Sequence, residues 1–507
     1  MKPVAIGVAA GIAVGAGVAA ASRGATLVPW PSKVRQAFPL VLGGIVGGSA
    51  GLKVGLAAAI MDAARGRGAG PIKSVAPVLV GAGIAGGVVA AAAYARGVLL
   101  TKMADESRAL DPGFSTPPTD PSVSGCVGSV VSIAELGREG ARFVGTAVTP
   151  DDIRFVTQRD PVASPIRVFI GVDAADTVQQ RVGLAMAELR RTRAFDKGAL
   201  LVSAPAGSGY ANATPVDVLE ILTLGDCASV AIAYGLLPSF LSLGKVEMAA
   251  QTQRLLLDAI REECSVLAAA PRIFLYGESL GAKVQEAAVP AGPLDLDHYV
   301  VSGALWVGTP GGSTADVFHA LCAAESITVD RPEQIPTAFE GPRPRVWFLE
   351  HDGDPVVRFR PDLLLHRPAW LPADGTRGRN VPETMNWKPG ITWAQALVDT
   401  LFATNIKPGD FQSLGHDYRA DLGAVVTAAY GLPCDQATAE RLDSRLRALE
   451  VARAARIGSA GDCAHAATRE RRVFWAPPFS PAPPRLRRRR RSRDPTMPAG
   501  TPASRRR

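Results

Sequence analysis

The chain has 507 residues, of which 47% are apolar and 20% charged, so it is too apolar to be disordered and long enough for two to four domains. Its net charge is +8, but residues 485–507 hold ten Arg and one Asp, which leaves about −1 for the remainder. The basic character belongs to a tail, and we expect no nucleic-acid partner.

Three long stretches near the N-terminus are almost free of charge: 4–22, 38–61, interrupted only by Lys53, and 75–95. A helix that crosses a bilayer needs about 20 apolar residues. We therefore predict a bundle of transmembrane helices within residues 1–102. A cleaved signal peptide is the alternative for the first stretch, but it does not account for the other two.

Glycines recur every fourth residue in the first two stretches, at Gly7, Gly11 and Gly15 and at Gly43, Gly47, Gly51 and Gly55. This spacing lines one face of a helix and predicts close helix packing. Three spans would place the N-terminus and the main domain on opposite sides of the membrane. Basic residues near the spans are slightly more numerous on the side of the main domain. The positive-inside rule therefore favours, weakly, a cytoplasmic main domain on the cell membrane.

Residues 103–125 are rich in Ser, Pro and Asp and predict a linker. Between 126 and 433, short β-branched runs alternate with helical patterns such as 177–194 and 247–268. The runs are 166–172, 198–203, 228–233, 272–276, 299–305 and 345–349. This alternation predicts an α/β fold with a doubly wound, mainly parallel sheet.

Residues 434–475 predict a helical C-terminal extension, with its helix over 434–456. Residues 476–507 are rich in Pro and Arg and predict a disordered tail. The tail is either a solvated end or, if cytoplasmic, a contact for anionic lipid headgroups.

The strongest catalytic signal is Gly277-Glu278-Ser279-Leu280-Gly281, which lies between a β run and a helical pattern. This is the setting of the G-x-S-x-G turn, in which small flanking residues allow a serine nucleophile to project above a sheet. The N–H of Leu280 would be one oxyanion donor. The same pattern also occurs at 47–51 within a predicted helix, so the strand–turn–helix context is what favours Ser279.

A serine nucleophile needs a histidine base and an acid that orients the histidine. Along an α/β chain of this kind, the acid follows the serine and the histidine follows the acid. Of six histidines, His416 lies in a Gly-preceded loop that opens a helical run, and we predict it as the base. The acid should follow a late strand. The run ending at 349 is followed by Glu350, Asp352 and Asp354, of which Asp354 is favoured and Asp352 is the reserve.

A second oxyanion donor should come from a loop after an earlier strand. Residues 172–174 and 205–210 both qualify, and the sequence does not choose between them. No phosphate-binding fingerprint, H-E-x-x-H motif or C-x-x-C pair is present, so we expect no cofactor and no metal.

Several segments together resemble an actinobacterial family of membrane-anchored α/β-hydrolases. They are PIRVFIGVDAADTVQQRVGLAMAEL, GDCASVAIAYGLLPSFLSL, FLYGESLGAKVQEAA, HDGDPVVRFRPDLL and GHDYRADL. The resemblance implies an N-terminal multi-span region followed by a serine hydrolase domain. It also implies the roles of Ser279, Asp354 and His416.

The sequence therefore predicts a membrane-bound serine hydrolase that cleaves a lipid-like ester through an acyl-enzyme. Two alternatives stay open. One is an acyltransferase that uses the same acyl-enzyme, and the other is a non-catalytic membrane scaffold that retains the fold.

Overall fold

A single parallel sheet organises the protein. The computed structural model describes residues 2–64, 100–311, 313–403, 409 and 411–473. Within them the sheet has seven strands in the order β1-β3-β2-β4-β5-β7-β6, and every neighbouring pair is parallel. The strands are β1 (Ile166–Ile170), β2 (Ala199–Ala204), β3 (Cys227–Ile232), β4 (Arg272–Glu278), β5 (Val301–Val307), β6 (Ser326–Val329) and β7 (Val346–Leu349).

Helices cover both faces of the sheet, as predicted for a doubly wound fold. They are α1 (Lys2–Ala21), α2 (Ser32–Ala64), α3 (Ile133–Val144), α4 (Pro150–Thr157), α5 (Val178–Arg191), α6 (Ala213–Leu222), α7 (Val246–Ser265), α8 (Leu280–Ala288), α9 (Pro293–His298), α10 (Ser313–Cys322), α11 (Pro355–Arg358), α12 (Ile391–Phe402), α13 (Arg419–Tyr430) and α14 (Gln436–Val473). Helix α7 contacts both α5 and α8 on one face, and α6 contacts α4 and α13 on the other.

The central strands are buried on both faces, so their side chains form one continuous core with the flanking helices. This explains why β1 to β5 and β7 could be recognised as uninterrupted apolar runs. Strand β5 begins two residues later than predicted. Strand β6 was not predicted, because this edge strand has only four residues and is half exposed.

The structure changes two predicted boundaries. The segment 103–125 is not a free linker, since residues 100–108 are helical and Val123 forms a parallel bridge with Arg167 of β1. Helix α14 continues well beyond the predicted 434–456 and packs its buried Leu442 and Leu446 into the main core. The part of the predicted C-terminal extension that holds Leu442 and Leu446 therefore belongs to the core of the α/β domain.

Helices α1 and α2 pack through their glycines. A Cβ atom on Gly15 would lie 2.6 Å from the carbonyl oxygen of Gly43, and a Cβ atom on Gly47 would lie even closer to the carbonyl oxygen of Gly11. Across the described ranges, however, no helix is long and apolar enough to cross a membrane. The predicted transmembrane bundle is thus unsupported, and its third member, 75–95, lies outside the described residues.

The turn between α1 and α2 is bound to the α/β domain. Asp399 of α12 accepts hydrogen bonds from the Leu27 N–H (3.1 Å), the Val28 N–H (3.5 Å) and the Trp30 indole N–H (2.5 Å). Leu27 packs in a small apolar cluster with Leu371, Val381 and Met385. These contacts fix the turn beside the loop that carries His416, because Val28 touches Gly415.

Candidate active site

Ser279 lies on a sharp turn between β4 and α8. Its backbone has φ 56° and ψ −126°, a conformation that residues with a Cβ rarely adopt. The flanking glycines explain how this turn fits. A Cβ on Gly277 would lie 2.7 Å from the backbone of Ala282, and one on Gly281 would overlap the carbonyl oxygen of Ala204. The predicted strand–turn–helix context is confirmed.

The first residue of α8 is Leu280, whose N–H has no acceptor inside the helix because the first turn of a helix leaves its donors free. The backbone of Ser279 is held by a hydrogen bond from its N–H to Val307 O of β5 (2.8 Å). The turn therefore lies at the carboxyl edge of the sheet, and the roles of Ser279 as nucleophile and of the Leu280 N–H as oxyanion donor stay predictions.

Asp354 is fully buried in the turn that follows β7. Its Oδ2 lies 2.6 Å from His416 Nδ1 and accepts a hydrogen bond from the Tyr418 hydroxyl (2.6 Å), while Oδ1 accepts the Val356 N–H (2.8 Å). Burial favours the neutral acid, but the charge of His416 and these hydrogen bonds outweigh burial and lower the pKa of Asp354.

The other two carboxylates of this run face elsewhere. Asp352, the reserve acid, pairs with Arg358 at 2.7 Å. Glu350 lies 3.6 Å from His319. Strand β7 ends at Leu349, and the turn that follows begins at His351. Of the three carboxylates after the strand, the one that this turn brings to the His416 loop is that of Asp354.

His416 is buried, and its Nδ1 is bound to Asp354, so Nε2 points away from the acid. Burial disfavours the imidazolium, but the Asp354 carboxylate and its hydrogen bond outweigh burial and raise the pKa of His416. Nε2 has no hydrogen-bond partner in the described residues, so no direct bond to the Ser279 hydroxyl is formed. The lack of a side chain at Gly308 leaves room for the His416 ring, since a Cβ there would lie 2.8 Å from His416 Cε1.

Strand order separates the two candidate loops for the second oxyanion donor. Strand β2 is hydrogen-bonded to β4, whereas β1 is separated from β4 by β3 and β2. The loop 205–210 after β2 consequently adjoins Ser279, and a Cβ on Gly281 would lie 3.1 Å from Pro205 O. The loop 172–174 after β1 is remote, and its Asp173 pairs with Arg108.

Ser279 and His416 line one cavity of about 410 Å³. Three side chains of the segment before β1, Phe114, Glu139 and Arg142, form part of its wall. Glu450, Arg453 and Ile457 of α14 form another part. Sequence reasoning missed both walls, because nothing local to these segments indicates that they meet residues more than 150 positions away.

Ion pairs connect α14 to the base loop. Arg419, at the start of α13, pairs with Asp417 at 2.7 Å and also with Glu450 of α14. Arg453, one turn further along α14, contacts Glu450 at 3.2 Å and pairs with Asp217. Asp217 in turn is bound to the fully buried Arg167 of β1 (2.7 Å).

Glu278, the residue before the candidate nucleophile, also lines the cavity. Its Oε2 accepts hydrogen bonds from Asn212 Nδ2 (2.7 Å) and the Tyr276 hydroxyl (2.6 Å). Burial raises the pKa of Glu278 above its ordinary value, even though both hydrogen bonds favour the carboxylate. The site thus holds, besides Asp354, the half-buried carboxyl group of Glu278, to which the sequence reasoning did not assign a role.

Among the described side chains, no group of three His, Cys, Asp or Glu is arranged to hold a metal ion. A buried carboxylate–imidazole pair, together with a serine on a strand–turn–helix of a parallel sheet, also occurs in serine hydrolases with an α/β fold.

The model of an alpha/beta-hydrolase family matches residues 166–443, more than half of the chain, and the chain belongs to this family. Family membership indicates a hydrolase. Neither a curated protein nor a solved structure matches the chain. The matched range contains Ser279, Asp354 and His416, whereas the two cavity walls described above lie outside it.

Proposed function

We propose that the protein is a serine hydrolase that cleaves an ester through an acyl-enzyme on Ser279. The observation that carries this proposal is the cavity that Ser279 and His416 both line, with His416 Nδ1 bound to buried Asp354 and His416 Nε2 without a hydrogen-bond partner among the described residues. A buried base without a partner is an unfavourable arrangement unless a ligand or a reacting group completes it.

In the proposed reaction, Ser279 Oγ attacks the ester carbonyl carbon and passes its proton to His416 Nε2. Asp354 stabilises the resulting imidazolium, and the Leu280 N–H together with a donor from the 205–210 loop binds the oxyanion. The tetrahedral intermediate expels the alcohol, which takes the proton from His416. A water molecule then attacks the acyl-enzyme with His416 again as base, releasing the acid and regenerating Ser279.

The cavity that would receive the acyl group has both apolar and charged walls, since Phe114, Phe143 and Ile457 line it beside charged side chains. We propose a lipid-like ester whose acyl chain packs on these three residues. A series of p-nitrophenyl esters of increasing chain length tests this: kcat/KM should rise with chain length up to the size of the cavity. A steady fall beyond acetate would contradict it.

Labelling with a fluorophosphonate probe tests the nucleophile. Wild type should be labelled, and Ser279→Ala should not. Ser49→Ala is the matched control, because Ser49 has the same G-x-S-x-G sequence but lies in α2 with its hydroxyl bound to Val46 O (2.9 Å). Labelling that survives Ser279→Ala, or a folded wild type that is never labelled, would refute the proposal and favour a non-catalytic scaffold.

Transfer of the acyl group to an alcohol would use the same acyl-enzyme. Measuring product partition between free acid and a new ester, at increasing concentrations of a simple alcohol, separates hydrolase from acyltransferase.

Membrane association is also proposed. The α1–α2 pair exposes several large apolar side chains, namely Val8, Ile12, Leu40, Val41 and Ile45, and contiguous exposed apolar surface is typical of membrane or protein contacts. In a flotation experiment, the full chain should remain bound to the vesicles at high salt. Vesicles that contain anionic lipid should bind it more tightly if the Arg-rich tail contributes, and loss of that difference after Arg→Gln changes in 485–507 would assign it to the tail.

A further inference from the structure

His351 links the turn of the acid to the loop of the base. It lies three residues before Asp354, whose N–H donates to His351 O (3.1 Å), and its side chain is fully buried. The ring Nδ1 lies 2.9 Å from Gly415 O, the carbonyl directly before His416. Because a carbonyl oxygen only accepts, Nδ1 carries a proton and donates it to this bond.

The other ring nitrogen of His351 is equally occupied. Nε2 lies 2.8 Å from Asp421 Oδ2 on α13 and 3.2 Å from Ser413 Oγ. Ser413 and Arg379 also contact Asp421, which favours its ionised form. The His351 ring therefore contacts two elements at once, the Gly415 carbonyl of the base loop and the Asp421 carboxylate at the start of α13.

Tyr418 makes the reverse connection. It belongs to the base loop, yet its hydroxyl donates to Asp354 and accepts the His351 N–H (3.1 Å). Its ring stacks on that of His351 with centroids 3.9 Å apart. The acid turn and the base loop are therefore cross-linked in both directions.

We propose that His351 is a positioning residue for His416: the hydrogen bond from Nδ1 to Gly415 O fixes the backbone from which the base projects. Gly415 has φ 61° and no side chain, so its own conformational preferences do not hold this backbone in place. The proposal rests on the proposed function of His416. Misplacement of a catalytic group by about 1 Å is enough to cost about 100-fold in rate.

Two amide substitutions at His351 test the hydrogen bonds of the two ring nitrogens separately. Asn places its amide nitrogen near the position of Nδ1, and Gln places it near the position of Nε2. His351→Asn thus preserves the bond to Gly415 O, and His351→Gln preserves the contact with Asp421. We expect His351→Asn to keep kcat within a few-fold of wild type, and His351→Gln to lower kcat by about 10- to 100-fold with little change in KM.

Amide hydrogen exchange of residues 413–418 provides a readout that does not depend on activity. Exchange should be faster in His351→Gln than in His351→Asn, because only the Gln variant loses the bond to Gly415. Equal exchange in the two variants, or equal loss of kcat that follows their loss of stability, would overturn the positioning role. A wild type without hydrolase activity would instead refute the proposed function, while the exchange comparison would still decide the role of His351.

Discussion

The Tyr418 hydroxyl lies 2.6 Å from Asp354 Oδ2, the carboxylate oxygen that also contacts His416. Asp354 therefore has two donors on one oxygen and a backbone N–H on the other. A carboxylate so fully bonded stays ionised in a buried site, which is what an acid that stabilises an imidazolium requires.

Tyr418→Phe should destabilise the protein by about 1–3 kcal/mol, because the buried His351 N–H loses its acceptor and Asp354 loses a donor. Urea unfolding measures the change. Tyr234→Phe is the matched control, since the buried Tyr234 hydroxyl has no hydrogen-bond partner in the part of the chain that the structure describes, and its removal should be neutral or stabilising. An equal loss of unfolding free energy in the two variants would show that the hydrogen bonds of the Tyr418 hydroxyl do not stabilise the protein.

The raised pKa of His416 sets the pH dependence of the proposed reaction. Only neutral His416 accepts the Ser279 proton, so kcat/KM should fall at acid pH with an apparent pKa above the ordinary value of about 6.5. The stability that protonated His416 contributes is present below that ordinary pKa and is lost as pH rises through the raised one.

Asp354→Asn removes the carboxylate that raises this pKa. The acid limb of the kcat/KM profile should then move to lower pH, and kcat should fall by about 10⁴-fold. Asp352→Asn is the comparison variant, because Asp352 pairs with Arg358 rather than with His416. A wild-type acid limb below 6.5, or an acid limb shifted equally by both variants, would contradict the assignment of Asp354 and His416.

The strained backbone at Ser279 gives a fourth prediction. A residue with a Cβ at φ 56° and ψ −126° costs on the order of 1–3 kcal/mol, and glycine removes most of this cost while losing about 0.5–1 kcal/mol of chain entropy. Ser279→Gly should thus unfold at a higher urea concentration than Ser279→Ala. Identical midpoints would mean that the turn relaxes and stores no strain.

The fold and the site residues were predictable for local reasons. Buried parallel strands are uninterrupted apolar runs, and the residues placed beside the cavity stand in turns directly after strands, as Ser279 and Asp354 do. His416 needed only its position in a Gly-preceded loop before a helix. The α1 and α2 helices were also expected, but their predicted role as membrane spans is unsupported.

What the sequence did not reveal depends on contacts between distant segments. The pairing of Arg453 with Asp217 joins residues 236 positions apart, and neither has a local signal that names its partner. The same holds for His351 and Gly415, since a histidine upstream of the acid resembles an ordinary core residue. Charged pairs of this kind are fixed by how helices pack on the sheet.

Asp399 should make the attachment of the α1–α2 turn sensitive to pH. Burial raises its pKa to about 6, although three N–H donors of the turn favour the carboxylate. Because the folded pKa is raised, the stability this group contributes is complete below its ordinary pKa of 3.8 and is lost as pH rises through about 6. The turn should therefore be held most firmly near pH 4.

Hydrogen exchange at Leu27 and Val28 measures this attachment. The free energy of opening should fall by up to about 1.4 kcal/mol per pH unit between pH 4 and 6, then level off. Asp399→Asn cannot ionise and should show no such dependence, although its amide group places a donor against donors and weakens the attachment throughout. A wild-type profile as flat as that of Asp399→Asn would show that Asp399 is ionised in both states, and that the turn beside Gly415 is held independently of pH.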